Sequence, residues 1–190
     1  MLCVRAIHLV VNGVVCALKN GFFIEAGAAD GETISNTLFF EIKRNWTGLL
    51  VEPDPMAYMM LKNKNRKAYS INSCLAGNVT KVEFSTGWLV GGVQKFHSVP
   101  KRKSFTKTVY CFPLHSLLQA IGQTTVDFFS LDVEGAEPYV LKGIDFSQID
   151  IKLLVVEVKH CGSKVVSDIL VPAGYKFVKN TGIDDIYAKE

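Results

Sequence analysis

Four acidic residues each end an apolar run of the kind that predicts a buried β-strand. They are Glu25, Glu52, Asp132 and Glu157. The carboxyl ends of parallel strands meet at one edge of a sheet, and open α/β sheets bind their ligands there. The sequence therefore predicts four carboxylates around one cleft, although any one of them alone could cap a helix or pair with a basic side chain.

Small residues fill the segment after the first of these runs, where Glu25 to Gly31 reads acid-x-Gly-x-x-x-Gly. Glycine lets a backbone approach a ligand closely. The segment lacks the GK[ST] of a P-loop and the third glycine of a GxGxxG fingerprint, so a phosphate cradle is disfavoured. Glu52 ends the next run, where a carboxylate can accept hydrogen bonds from both hydroxyls of a ribose. Together these features predict a nucleoside-bearing cofactor with little negative charge.

Several acidic side chains and one histidine are candidates for a general base. Glu134 and Glu137 open a predicted helix, so either could instead serve only the helix dipole. Asp132 and Glu157 could share a divalent ion, but the sequence shows no third ligand, and no metal site is predicted. The candidate catalytic residues are Asp132, Glu134, Glu137, Glu157 and His160.

Strands and helices alternate from residue 22 onward, which predicts a three-layer α/β sandwich with a mainly parallel sheet. Asp54-Pro55 supplies an N-cap and a first-turn proline for one helix. Another helix is expected to bury a face made of Ile34, Leu38, Phe39 and Ile42. The short link between Tyr175–Val178 and Asp184–Ala188 predicts a C-terminal antiparallel hairpin. We expect one domain over 21–190, preceded by an N-terminal segment, 1–20.

The composition fits one folded domain, because 48% of the 190 residues are apolar and 21% are charged. The net charge is only +3, which does not by itself indicate nucleic-acid binding. No acidic residue occurs from Phe84 to Val126, whereas the segment 87–107 carries Lys95, Lys101, Arg102, Lys103 and Lys107. This basic segment is either a solvated loop or a surface that contacts an anion or a protein partner.

The five cysteines show no CxxC pair and are expected to be reduced and buried. The apolar run from Ile7 to Leu18 is shorter than the roughly 20 residues of a membrane span, so it predicts a core element. We therefore expect a cytoplasmic chain, or an endomembrane-associated one if its N-terminus is trimmed. Sequons at Asn45 and Asn78 are weak indications of secretion.

Four segments together resemble FkbM-type methyltransferases, a class I group that depends on S-adenosylmethionine: 22–31, 48–55, 126–143 and 153–160. The resemblance is strongest at Asp132-Val133-Glu134-Gly135-Ala136-Glu137. The local sequences around Glu25, Trp46 and Ser130 are similar to those of the animal branch that includes the Star-type trafficking proteins. The class I fold that this resemblance implies also ends in an antiparallel hairpin.

The resemblance implies a site for each part of S-adenosylmethionine. The methionine part would lie at Glu25, Gly27, Ala28, Asp30 and Gly31, the ribose at Glu52, Pro53 and Asp54, the adenine at Asn72, Ser73 and Cys74, and the methyl group at Asp132 to Gly135. Two positions depart from the family pattern. Glu25 stands where much of the family has Asp, and Ser130-Leu131 stands where bacterial members often have Lys before the acid of this strand.

The expected function is O-methylation of a small-molecule or glycan hydroxyl. The alternative is a catalytically inactive module in protein interaction or endomembrane trafficking, with the basic segment 87–107 as the contact. Nucleic-acid methylation through the same segment is a third, less favoured reading.

Overall fold

The computed structural model describes residues 18–87, 91–95 and 105–190. Most of the predicted N-terminal segment 1–20 and much of the basic segment 87–107 therefore lie outside the described residues. No helix in the described part is long and apolar enough to cross a membrane.

A seven-stranded sheet forms the centre of the fold, in the order β12-β13-β11-β9-β1-β2-β3. The five strands β11, β9, β1, β2 and β3 run parallel, and β13 and β12 add an antiparallel hairpin. The predicted fold class and hairpin are confirmed. The strands are β1 Phe22–Ala26, β2 Thr47–Val51, β3 Tyr69–Ile71, β9 Phe128–Leu131, β11 Leu153–Glu157, β12 Tyr175–Asn180 and β13 Asp184–Lys189.

Helices lie on both faces of this sheet. On β1 the side chain of Ile24 packs in a cluster with α3, α4 and α5, whereas Phe23 packs with α1 and α2. Strands covered on both faces are apolar throughout, which explains their unbroken hydrophobic runs. The helices are α1 Leu38–Arg44, α2 Pro55–Asn63, α3 Leu114–Ala120, α4 Glu137–Lys142 and α5 Ser163–Leu170.

The start of α2 follows the sequence prediction, because Asp54 accepts hydrogen bonds from the backbone N–H groups of Met56 and Ala57. The predicted face of α1 is wrong. This helix begins only at Leu38, so Ile34 lies in the preceding loop and is 53% exposed, and Ile42 is 63% exposed. Phe40 is the buried residue of α1 and stacks on Trp46. In the sequence, the apolar spacing runs without a break from Ile34 into α1. In the structure, Ile34 belongs to a loop that local hydrogen bonds hold outside the helix.

A second, four-stranded sheet has the order β4-β7-β5-β6. Its two longer strands, β5 and β7, pair antiparallel, and the sequence contains no local signal for this pairing. Two further short strands, β8 Thr125–Val126 and β10 Asp150–Ile151, pair in parallel. The strands of the second sheet are β4 Cys74–Leu75, β5 Thr80–Ser85, β6 Gly92–Val93 and β7 Thr106–Phe112.

A disulfide joins Cys74 on β4 to Cys111 on β7. The expectation of five reduced cysteines is wrong at these two positions. They are register partners of a parallel strand pair, although 37 residues separate them in the sequence. A pairing that depends on strand register leaves no local spacing motif in the sequence. Cys161 is a free thiol.

We expect Cys111→Ala to lower the free energy of unfolding by about 4 kcal/mol, the loop-entropy effect of a cross-link of this span. Urea unfolding of the variant and of the wild type, with and without reductant, measures the difference. Cys161→Ala is the matched control and should change the free energy by about 1 kcal/mol. If reductant leaves the wild-type midpoint unchanged, the bond does not stabilise the fold.

Candidate functional site

A cleft that is partly open to solvent lies at the carboxyl ends of β1, β2 and β9. The strand order reverses at β1, whose neighbours are β2 and β9, and α/β sheets bind ligands at such a switch point. The cleft joins the predicted segments 25–31, 52–54 and 132–135, and it adds Phe84 on β5 and Gly91, the residue before β6. Its lining residues are Gly27, Ala29, Ile34, Glu52, Pro53, Phe84, Gly91, Asp132, Val133 and Glu134.

Gly27 brings two loops of the cleft into contact. Its φ angle is +84°, and a Cβ added there would lie 1.8 Å from the backbone oxygen of Asp132. Only glycine combines this backbone conformation with so close an approach. The segment that the backbone at Gly27 approaches in the structure is the loop after β9, and its predicted approach to a ligand stays a prediction.

Glu52 is 4% exposed, and its carboxylate links the loop after β1 to the loop after β2. Its carboxylate accepts a 2.7 Å hydrogen bond from the N–H of Ala29 and another from the N–H of Asp54. Ala29 has a φ angle of +48°, a left-handed conformation that is rare outside glycine. Glu134, across the cleft, also has a positive φ, +54°. Strained residues of this kind concentrate at ligand-binding sites.

Burial raises the pKa of Glu52 to about 8, from an ordinary 4.5, although its two backbone hydrogen bonds act in the opposite direction. Between pH 4.5 and 8 the unfolded chain loses this proton while the folded chain keeps it. The folded state then binds more protons, so its stability falls as the pH rises through this interval.

We therefore expect the free energy of unfolding to decline from pH 5 to pH 8, and Glu52→Gln to make that slope shallower by about 1 kcal/mol per pH unit. Urea unfolding at several pH values measures both slopes. Glu83→Gln, on the exposed side of β5, is the matched control and should leave the slope as it is. A slope that is the same in the Glu52 variant and the wild type would contradict this role of burial.

Glu25 and Asp30 hold the loop between β1 and α1 in place. The Glu25 carboxylate accepts hydrogen bonds from the Ser35 hydroxyl, the Thr37 hydroxyl and the Asn36 N–H. Asp30 accepts from the N–H groups of Glu32 and Thr33 and from the Thr33 hydroxyl. Both carboxylates are thus engaged by protein donors, and the prediction that they contact a cofactor stays a prediction.

Arg66 is a positioning residue that the sequence analysis missed. It pairs with Glu41 at 2.9 Å, and both side chains are at most 10% exposed. Its guanidinium also donates to the backbone oxygen of Gly31 and to the hydroxyls of Ser35 and Thr37. No local signal marks it, because Arg66 lies in the turn between α2 and β3 and reaches back over about thirty residues.

The other predicted cofactor residues are divided between the cleft and its supports. Pro53 lines the cleft, whereas the carboxylate of Asp54 caps α2 and accepts from the N–H of Gly87. Asn72 donates to the backbone oxygens of Glu52 and Pro53. Asn72, Ser73, Cys74, Ala28 and Gly31 are not part of the cleft lining.

The predicted catalytic residues come together beyond β9 and β11. Nε2 of His160 lies 3.1 Å from Oε2 of Glu134, and the backbone N–H groups of Val133 and Gly135 both donate to Oε1 of Glu137. Burial, followed by repulsion from neighbouring carboxylates, raises the pKa of Asp132 to about 7 and that of Glu157 to about 8. Hereafter this group is called the acid cluster: Asp132, Glu134, Glu137 and Glu157, with His160.

The family model described as the methyltransferase FkbM domain matches residues 25–186 of this chain. The chain belongs to the FkbM methyltransferase family. The match includes every predicted site residue, from Glu25 to His160. Membership of the Star-type branch remains a prediction for this FkbM chain.

Solved structures agree with this membership at the level of the fold. The FkbM methyltransferase of Methylobacillus flagellatus KT superimposes with a TM-score of 0.57 at 16% identity, over 90% of this chain and 43% of that one. The METTL16 methyltransferase domain gives 0.54 at 13% identity, over 97% and 66%. Precorrin-6y C5,15-methyltransferase of Geobacter metallireducens GS-15 gives 0.51 at 10%, over 96% and 84%.

This FkbM chain spans about two fifths of the length of the Methylobacillus protein. Comparison with curated proteins gives no significant match. These identities establish the class I methyltransferase fold and leave the acceptor to be argued from the site itself.

Proposed function

We propose that this chain binds S-adenosylmethionine in the cleft and transfers its methyl group to a hydroxyl acceptor. The observation that carries the proposal is the meeting of Gly27, Glu52 and the segment from Asp132 to Glu134 around one cleft at the switch point of the sheet. Family membership supports methyl transfer from S-adenosylmethionine, and the class I fold agrees with it, whereas the hydroxyl acceptor is part of the proposal.

The residues of the cleft fit this cofactor. Each Glu52 oxygen accepts one backbone hydrogen bond, and its remaining position can accept from a ribose hydroxyl or, where it carries the proton, donate to one. The contact between Gly27 and Asp132 leaves bare backbone at the cleft floor, where an amino-acid group can be held. Carboxylates of the acid cluster suit the positive charge of a sulfonium.

When bound, the cofactor supplies a sulfonium methyl group that is open to direct displacement. The work of this chain is to orient the acceptor oxygen in line with that methyl group, and orientation of this kind supplies about 7 to 11 kcal/mol of the barrier reduction. The acceptor proton needs a base within hydrogen-bond reach. Asp132 and Glu134 line the cleft, so their carboxylates lie where the acceptor oxygen would be held.

A methyl-transfer assay tests the proposal. Labelled S-adenosylmethionine is incubated with small-molecule and glycan acceptors that carry hydroxyl groups. We expect transfer to at least one class and a fall of kcat by about 10²-fold or more in Asp132→Asn, the range for loss of a general base. Asp168→Asn, an exposed carboxylate on α5, is the matched control.

The proposal of O-methylation fails if the labelled product forms only on nitrogen or sulfur acceptors. It also fails if the Asp132 variant and the wild type share the same kcat on every hydroxyl acceptor. The basic segment 87–107 stays a predicted protein contact, since residues 88–90 and 96–104 lie outside the described part of the chain.

We also propose an endomembrane or other oxidising compartment in preference to the cytoplasm. The support is the disulfide between Cys74 and Cys111, since such bonds persist where thiols are not kept reduced. Alkylation of thiols in freshly lysed cells, followed by mass analysis, should find these two cysteines protected from the reagent. Full alkylation of both would contradict the assignment.

A further inference from the structure

Two buried oxygens of the acid cluster lack a hydrogen-bond partner. Among the described residues, four buried side-chain polar atoms are in this condition, and two of them are Oε2 of Glu137 and Oε2 of Glu157. Glu137 is fully buried and Glu157 is 4% exposed. Leaving a buried polar atom unpaired is costly, and native proteins usually satisfy it with a protein group, water or an ion.

These oxygens belong to side chains that converge. One ligand atom from each of Asp132, Glu137 and Glu157 lies within 4.8 Å of the other two. Oxygen ligands lie about 2.0 to 2.6 Å from a bound Mg²⁺ or Ca²⁺, so oxygens on one ion are separated by up to roughly 5 Å. Three carboxylates at this spacing repel one another, and a divalent cation between them reverses that interaction.

Glu157 also belongs to a second group, with Glu134 and His160. Glu134 and His160 already pair with each other at 3.1 Å, whereas the unpartnered oxygens belong to Glu137 and Glu157. The first group offers oxygen ligands alone, which favour magnesium and manganese over zinc. A third ligand is not evident from the sequence, because Glu137 comes near Glu157 only through the turn between β9 and α4.

We propose that Asp132, Glu137 and Glu157 bind one divalent cation of the magnesium or manganese class. Because Asp132 also lines the cleft, the cation lies at the cleft edge. Only the assignment of the acceptor class rests on the proposed function. Under that function, the acceptor is a hydroxyl with a neighbouring oxygen, which a divalent ion orients and acidifies.

Titration of the full chain with Mn²⁺, followed by electron paramagnetic resonance in the absence of S-adenosylmethionine, tests the site. We expect one bound Mn²⁺ per chain, displaced by excess Mg²⁺. Glu137→Gln and Glu157→Gln should each weaken Mn²⁺ binding by at least tenfold. Asp168→Asn on α5 is the matched control and should bind within twofold of the wild type.

A folded wild-type chain that binds no Mn²⁺ at millimolar concentration overturns the proposal, and so does wild-type affinity in both glutamine variants. A tenfold loss confined to His160→Gln places the ion in the second group and also overturns it. Circular dichroism identifies a variant that has lost its fold, in which case the wild-type stoichiometry and the other variant decide. The Mn²⁺ titration contains no cofactor, and cofactor binding is measured with a chelator present. The cation site and the proposed function can therefore fail independently of each other.

Discussion

Gly27→Ala is expected to abolish measurable cofactor binding and to lower the free energy of unfolding by more than about 3 kcal/mol. The added methyl group would meet the backbone oxygen of Asp132 at 1.8 Å, and the φ angle of +84° disfavours any side chain. The neighbour is backbone and cannot rotate away, so the loop after β9 has to move. That loop carries Asp132, Val133 and Glu134 into the cleft.

Gly122→Ala is the matched control for this prediction. Gly122 also has a positive φ angle, +69°, but a Cβ added there meets nothing within 4 Å. The control therefore isolates backbone strain, about 1 to 2 kcal/mol, from the steric contact. Urea unfolding and calorimetric titration of both variants make the comparison. Equal losses of stability in the two variants, with cofactor binding retained, would show that the approach of Gly27 to Asp132 is unimportant.

Arg66→Ala is expected to lower the free energy of unfolding by about 3 kcal/mol, because it leaves the largely buried Glu41 carboxylate without its cationic partner. It should also weaken cofactor binding, since Arg66 holds the loop from Gly31 to Thr37 against the cleft. Arg66→Lys keeps the charge but cannot reproduce the planar fork of donors, so its losses should be intermediate.

The control for Arg66 is Lys164→Ala, which breaks an exposed ion pair with Asp168 on α5. Exposed pairs contribute about 0 to 1 kcal/mol, and binding should not change. The double variant Arg66→Ala/Glu41→Gln should be more stable than Arg66→Ala alone, because the unpaired charge is then absent. A double-mutant cycle measures this difference. An Arg66→Ala chain with wild-type stability and affinity would contradict the role of this network.

The residues at the carboxyl edge of the main sheet could be predicted from the sequence, because strand-terminal acids and Gly-rich turns are local signals. Glu52 and Asp132 reach the cleft as predicted, and Asp54 caps α2 as its position before Pro55 indicates. Glu25 also ends β1 at this edge, but the donors at positions 35–37 that surround it are not evident from the sequence.

Contacts between distant segments were beyond the reach of local patterns. The Cys74–Cys111 bond depends on the pairing of β4 with β7, and Arg66 depends on the approach of two loops. Phe84 and Gly91 enter the cleft only because the second sheet folds against the first. The third carboxylate of the cation site, Glu137, likewise depends on where α4 begins.

The most direct test of the account is calorimetric titration of the full chain with S-adenosylmethionine, with chelator present, in the wild type and in Glu52→Ala. We predict one bound cofactor per chain and an affinity at least tenfold lower in the variant, with Glu83→Ala as a control that binds like the wild type. The absence of binding to a folded wild-type chain, or equal affinity in the wild type and Glu52→Ala, would contradict the assignment of the cleft.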